Sequence, residues 1–362
     1  MVVAGILIAI LLLAAAGWAA YGRGRRAPSM TITSPPAMPA ASPALPVSPP
    51  ADAAPLEAAN DLCAQRLWRL AFAAPPLVPP LVRAHARVRD LIYAVLQVDT
   101  LDPNYFPRRP TLMPQLMQAI DDPNAASEKI SRMIAHDPVL TADVLRLANS
   151  SLYRISPAPI ETIQRAIVVC GVDALRGILA AAMLRPVFRA SRSNFPRFPR
   201  MLWDRTERAA RAAELYTAKV HPQDRFEAQL VVLLSALGPL VVYSAALDGY
   251  SRAPRLTPNP WLFIELIGNL GLKMSQRIAR DWQTSPRLIA ALEKSSGETL
   301  GTALHVGELL GALALLESQR VIAGDERLAT LNGAGLRTDL VDGIWARLAG
   351  AEQTRTEAGA VS

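Results

Sequence analysis

DPVLTADVLRLAN, residues 137–149, is the stretch on which the fold turns. Asp137 followed by Pro138 reads as a helix N-cap with proline at the first helical position, where a missing N–H costs nothing. Leu140, Val144, Leu147 and Ala148 then fall at three- and four-residue spacing and make one apolar stripe on a short helix. The pattern repeats on both sides: Ile130, Met133 and Ile134 upstream, and Leu175, Ile178, Leu179, Ala182 and Met183 downstream. Pro114 suits a first helical position and Gly171 a helix C-terminus. Several short amphipathic helices must therefore share one core. The chain has 362 residues, 51% of them hydrophobic, enough for one substantial core or two small ones. Leucine and alanine prevail and no valine- and isoleucine-rich alternation appears, so an all-α, multi-helix bundle is expected.

Further along, residues 202–220 are amphipathic, whereas 226–247 are apolar on nearly every side and are expected to form a central buried helix. Helices are also expected over 261–270, 273–282, 286–294 and 302–322. On the N-terminal side, residues 56–74 and 80–98 read as a helical pair separated by Pro75, Pro76, Pro79 and Pro80. Val88, Leu91, Ile92 and Val95 are placed on one face of the second helix. The pair either packs on the main domain or mediates self-association. There is no internal repeat.

Residues 2–20 carry no charge, and about 20 helical residues span a bilayer's hydrocarbon core. A cleaved signal peptide competes with an uncleaved anchor, but no basic residues precede the apolar run, and Arg23, Arg25 and Arg26 follow it. The anchor is the expectation. The positive-inside rule then sets the short N-terminus in the periplasm, Trp18 and Tyr21 at the inner interface and the bulk of the chain in the cytoplasm. After it come prolines, alanines and serines, among them Pro35, Pro36, Pro49 and Pro50, which forbid a continuous helix and make a semi-rigid stalk. The expected organisation is a transmembrane anchor over 1–22, a linker over 23–55, an accessory helical pair over 56–100, the main helical domain over 105–350 and a disordered tail over 351–362.

Cys63 and Cys170 are far apart, each on an apolar helical stretch, and read as reduced core residues rather than a disulfide or a ligand pair. The net charge of +7 comes mainly from dispersed arginines, which suit nucleic acid, anionic lipid or an acidic partner alike. No basic run is interleaved with aromatics as a stacking platform needs, which sets nucleic acid behind the other two.

The region from Thr111 to Phe188 resembles the HDOD family of bacterial signalling domains, related in fold to HD-type metal-dependent phosphohydrolases. The residues that carry the resemblance are Leu112 to Ile120 with Asp122-Pro123, Ile134-Ala-His-Asp-Pro138, Leu145-Arg-Leu-Ala-Asn-Ser150 with Tyr153, Gln164-Arg-Ala-Ile167, and Gly171 to Arg176. Beyond Met201 the similarity weakens, although Leu202-Trp203, Leu233 to Leu240 and the helix ending at Trp282 follow in the expected order. Where metal-binding relatives carry a His-Asp pair on the buried helix, this chain reads Ser235-Ala236-Leu237-Gly238-Pro239. Asp204, Arg205 and Thr206 stand where another histidine is expected, and Glu293-Lys294 where paired histidines are. HD-type hydrolysis needs imidazole and carboxylate ligands to lower the pKa of a metal-bound water, so the resemblance implies a pseudoenzyme with no metal and no cofactor.

His136-Asp137 is the only His-Asp dipeptide, but it occupies the family's non-catalytic Asp-Pro position, where Asp137 serves as a cap. His85, His221 and His305 lie in separate elements without ligand spacing. There is no Gly-rich phosphate loop and no Gly-x-Ser-x-Gly elbow, and neither cysteine has a histidine nearby in sequence. Arg146, Gln164, Arg165 and Arg176 fall on polar faces of the family-like helices and are the candidate surface for a partner or small anionic ligand. Asn149 belongs to the same motif, and as a helix-ending Asn it suits a left-handed cap. The leading expectation is a membrane-anchored, non-enzymatic signalling adaptor that binds a protein partner or a small anionic signal. The alternative is a residual phosphohydrolase acting on nucleotides or cyclic dinucleotides, and nucleic-acid binding is a third reading.

Overall fold

The computed structural model describes residues 54–348, apart from breaks at 79, 81, 99–106, 108, 119–129, 136, 155–157, 189–193, 294–298 and 338. The expected anchor, linker and C-terminal tail, and the histidine at 136, lie outside the described residues, as does Lys294. Residues 46–362 form one compact unit. Its described residues are helical, with no strand among them, so the all-α expectation holds.

The first helix, α1 (Ala54–Ala71), buries Leu56, Cys63, Leu67, Trp68 and Ala71 at helical spacing. The second, α2 (Arg83–Gln97), buries Val88, Ile92 and Leu96. The expected apolar face is thus corrected by one position, since Leu91 is exposed and Leu96 takes its place. The pair packs on the main body: α1 lies on α12 and α2 on α9, both defined below.

Helix α3 (Met113–Gln118) precedes α4 (Pro138–Ala148), whose N-cap is Asp137 as expected; its carboxylate accepts from the N–H groups of Val139 (2.9 Å) and Leu140 (3.1 Å). Helix α5 (Ile163–Cys170) ends at Gly171, whose φ of 81° only glycine adopts without strain, and α6 (Val172–Leu184) follows directly. Asn149 caps α4 with φ of −87°, right-handed rather than left-handed as expected.

The centre is α7 (Arg197–Val220), packed on α12 (Thr299–Ser318). Gly307 and Gly311 on α12 meet Ala213 and Ala209 on α7, bringing the two backbones together. The single buried helix expected over 226–247 is instead two, α8 (Arg225–Ser235) and α9 (Leu237–Ser251). Pro239 is the cause, because it has no N–H to offer the carbonyl of Ser235. That carbonyl accepts from the Ser275 hydroxyl at 2.7 Å, and the Ser275 hydroxyl oxygen in turn accepts from the Gly238 N–H at 3.0 Å. Ser275 belongs to α10 (Pro260–Asp281), one continuous helix where two were expected. Gly271, which falls between those two expected helices, serves close packing: a Cβ on Gly238 would stand 1.9 Å from its carbonyl oxygen. Helix α11 (Pro286–Glu293) and, after α12, α13 (Gly324–Gly333) complete the labelled set.

Trp68 and Phe72 at the end of α1 enter an aromatic cluster with Phe195, Phe198, Tyr243 and Phe263; Phe72 stacks on Phe198 at 4.7 Å between ring centres. The stretch Pro222–Ser251 and helix α12 are long and apolar enough to cross a membrane by composition alone, yet both are covered by the rest of the protein. Such burial is how the core helix of a globular domain meets the same criterion.

Candidate functional site

Helix α7 looks amphipathic, but its polar side is also inside. Arg205, Glu207, Arg208, Arg211 and Glu214 are all buried. Charges at that depth persist only when paired. Glu214 accepts from both Arg211 and Arg225, and the Arg211 guanidinium lies 5.3 Å from the centre of the Tyr153 ring. Burial pushes the Tyr153 phenol well above its ordinary range, so it stays a neutral lid on this ion network. The seam joins the family-like first half, through Tyr153, to the helices that follow.

Nearer the start of α7, Arg205 approaches Glu308 of α12 at 3.5 Å and lies 5.7 Å from the Trp68 ring centre. The hydroxyl of Ser235 donates to the same Glu308 at 2.9 Å and to the Val232 carbonyl at 2.9 Å. Ser235, and Arg205 in the stretch Asp204–Thr206, stand where the resemblance calls for metal ligands, and the fold brings these two together around one carboxylate. Glu293 is elsewhere, paired with Arg280 at 2.5 Å. Glu308 also faces Asp61 of α1, whose carboxyl is raised above its usual range, chiefly by desolvation, with Glu57 and Glu308 adding to the effect. Among the described residues no three His, Cys, Asp or Glu side chains converge as a metal site requires. A donor set of one hydroxyl and one carboxylate, with a guanidinium already on that carboxylate, does not fit a catalytic divalent cation.

A cleft of about 450 Å³ opens on the other side of α7. Arg146 of α4, Arg185 and Phe188 just after α6, and Arg200, Trp203 and Asp204 of α7 line it. Arg146 is paired with Asp143 on its own helix. Arg185 and Arg200 have no carboxylate partner among the described residues, and the buried indole N–H of Trp203 has no acceptor there. Three guanidiniums against the carboxylates of Asp143 and Asp204 leave the opening with an excess of positive charge.

Of the five candidate surface residues, only Arg146 reaches this cleft. Gln164 and Arg165 are exposed on α5, away from it. Arg176 is a correction: it is 5% exposed and donates to Asp173 at 3.1 Å, because α6 is enclosed on nearly all sides. Asn149 is half-buried and holds the chain to itself. Its amide nitrogen donates to the carbonyls of Leu145 (2.9 Å) and Ile160 (2.7 Å), and its oxygen accepts from the Ile160 N–H (2.7 Å). Those bonds use the side chain fully and make it structural. Arg185, Arg200 and Trp203 were missed; the signal was the arginines at 197 and 200, spaced by prolines, in the run that opens α7.

The HDOD family pattern matches residues 106–296, more than half of the chain, and the protein belongs to the HDOD family. An HDOD domain protein of unknown function from Geobacter sulfurreducens is 18% identical over 73% of this chain and 88% of its own, with a TM-score of 0.49. A "putative metal-dependent phosphohydrolase" from Shewanella amazonensis SB2B is also 18% identical, over 75% of this chain and 100% of its own, with a TM-score of 0.49. A second protein from that organism, a "putative phosphohydrolase", is 21% identical over 83% of this chain and 96% of its own, with a TM-score of 0.42. Likenesses at this level carry no argument about activity. No curated protein matches the chain.

Proposed function

We propose that this HDOD protein is a non-catalytic signalling adaptor, held at the bacterial inner membrane by its N-terminal apolar segment, whose cytoplasmic domain binds a protein partner or a small anionic signal. The observation that supports the non-catalytic reading is the Arg205–Glu308–Ser235 cluster. A guanidinium supplies the positive charge at the position where relatives would hold a cation, and a second cation beside it would be repelled. The binding reading rests on the cleft between α4, the end of α6 and α7. Arginine forks at Arg146, Arg185 and Arg200 suit a carboxylate or phosphate, and the Phe188 and Trp203 rings give an apolar wall.

Elemental analysis of the purified chain, with phosphatase and phosphodiesterase assays before and after chelation, tests the first part. No stoichiometric transition metal and no chelator-sensitive turnover are expected; about one or two metals per chain with chelator-sensitive hydrolysis would establish the phosphohydrolase alternative instead. Arg146→Ala, Arg185→Ala and Arg200→Ala together test the second part. Surface changes of this kind should shift stability by less than about 1 kcal/mol while removing capture of the partner found by pull-down from native membranes. Unchanged capture by the folded triple variant would move the binding surface to the exposed face of α5, where Gln164 and Arg165 lie.

A further inference from the structure

Between α1 and α2 the chain reads Pro75-Pro-Leu-Val-Pro-Pro-Leu-Val82. Leu77 is 83% exposed, Val78 66% and Val82 54%, and Leu91, two turns into α2, is exposed as well. Isolated surface leucines need no explanation, but an exposed apolar group on one turn does. Beside it, between α2 and the end of α9, lies a hollow of about 650 Å³ with Val88, Leu91 and Leu256 on its apolar floor and Arg87, Arg252 and Arg255 among its walls. Acidic groups here are already engaged: Asp248 accepts from Arg252 at 2.7 Å and Asp90 from Arg89 at 3.1 Å. Arg83, Arg87 and Arg255 are left with no acidic partner among the described residues.

We infer that this face docks on an anionic lipid bilayer, with Leu77 and Val78 entering the acyl boundary and Arg83, Arg87 and Arg255 meeting lipid phosphates. Apolar side chains ringed by arginines are the composition that binds such an interface. An acidic protein partner would also answer the charge, but the backbone favours lipid. Four of the eight residues from 75 to 82 are prolines, which have no N–H, so the turn can leave water with few donors stranded. The tether permits it. Helix α1, 18 residues long, puts the turn about 27 Å from the point where the linker joins. Residues 23–53 extended at about 3.1 Å each reach further than that.

The test uses the full chain with Cys170→Ala, reconstituted in lipid nanodiscs of phosphatidylcholine alone or mixed in equal parts with phosphatidylglycerol. A fluorophore is placed on Val78→Cys or, as the comparison, on Val168→Cys of α5, another exposed site, and quenching by nitroxide-bearing lipid is measured. In mixed discs the label at 78 should be quenched and that at 168 not. Changing Arg83, Arg87 and Arg255 to Gln should lower the docking equilibrium constant about fivefold per residue, with circular dichroism unchanged. Equal quenching at both sites, no quenching at 78, or no response to the three Gln substitutions in a folded chain would each overturn the inference. The anchor is read separately: chain that co-purifies with both discs while its label at 78 stays unquenched refutes docking alone. Chain that co-purifies only with anionic discs refutes the anchor and supports docking. Chain that co-purifies with neither refutes both.

Discussion

Replacing Gly311 with alanine should destabilise this fold even though alanine is the better helix former. A Cβ at Gly311 would stand 2.6 Å from the backbone nitrogen of Ala209 and 2.8 Å from its Cα and Cβ. Carbon atoms prefer about 3.5–4.0 Å, so α7 and α12 would have to part by roughly 1 Å along the longest contact in the molecule. Nothing local can give way, because the atoms it meets are backbone or a single methyl. Overpacking of this kind costs about 1–3 kcal/mol, against a propensity gain of at most ~1 kcal/mol, for a net loss of up to about 2 kcal/mol. Gly268 on α10 is the internal control. It is exposed with no atom within 4 Å of its would-be Cβ, so alanine there should gain up to ~1 kcal/mol. Urea unfolding of residues 46–362, which form one compact unit, should separate the two variants by about 1–3 kcal/mol at unchanged m-value. If Gly311→Ala is as stable as Gly268→Ala, the two backbones do not approach as described and the reasoning fails.

Three other perturbations follow from the same interior. Glu214→Gln leaves Arg211 and Arg225 sharing a neutral amide, and breaking a buried ion cluster on one side should cost about 3–5 kcal/mol by urea unfolding; a loss below about 1 kcal/mol would mean water reaches the seam. Gln229 is buried with neither amide atom bonded among the described residues, so Gln229→Met, close in volume, should stabilise by about 1–3 kcal/mol, and a loss would point to a bonded water. Burial pushes the Cys63 thiol from 9.0 up to about 11. The folded state therefore keeps a proton that the unfolded chain releases, and stability is full below about pH 8 and falls as pH rises from about 9 to 11. The stability difference between the parent and Cys63→Ala should shrink over that window, and a constant difference would show that the thiol is not desolvated.

Much of the first half was readable because its helices are short and punctuated. Asp137-Pro138 and Gly171 are local signals with local causes, and they mark helix ends where expected. Errors came where a tertiary contact overrode a local rule. Gly271 looks like an interruption until Gly238 is packed on it, and the apolar run through 226–247 hides a break whose only trace is Pro239. The arginines of α7, like Arg176, look like a solvent face. Periodicity reports which residues are polar, and whether a polar stripe meets water or another helix is decided by the partner. The cleft was half-legible for the same reason: Arg146 stood on a readable helix, while Arg185 and Arg200 lie far along the chain and converge only through the packing of α6 and α7.

The bonds of Asn149 tie residue 149 to residue 160 and so set the mouth of a loop independently of what lies between. That one carboxamide holds the end of α4 to Ile160, just ahead of α5. The entropy of closing a longer loop rises only by about 0.6 kcal/mol per doubling, less than the two hydrogen bonds to Ile160 return. This makes the exposed residues 158–159, just ahead of Ile160, a natural port where a reporter domain can be grafted without disturbing the ion seam beneath Tyr153.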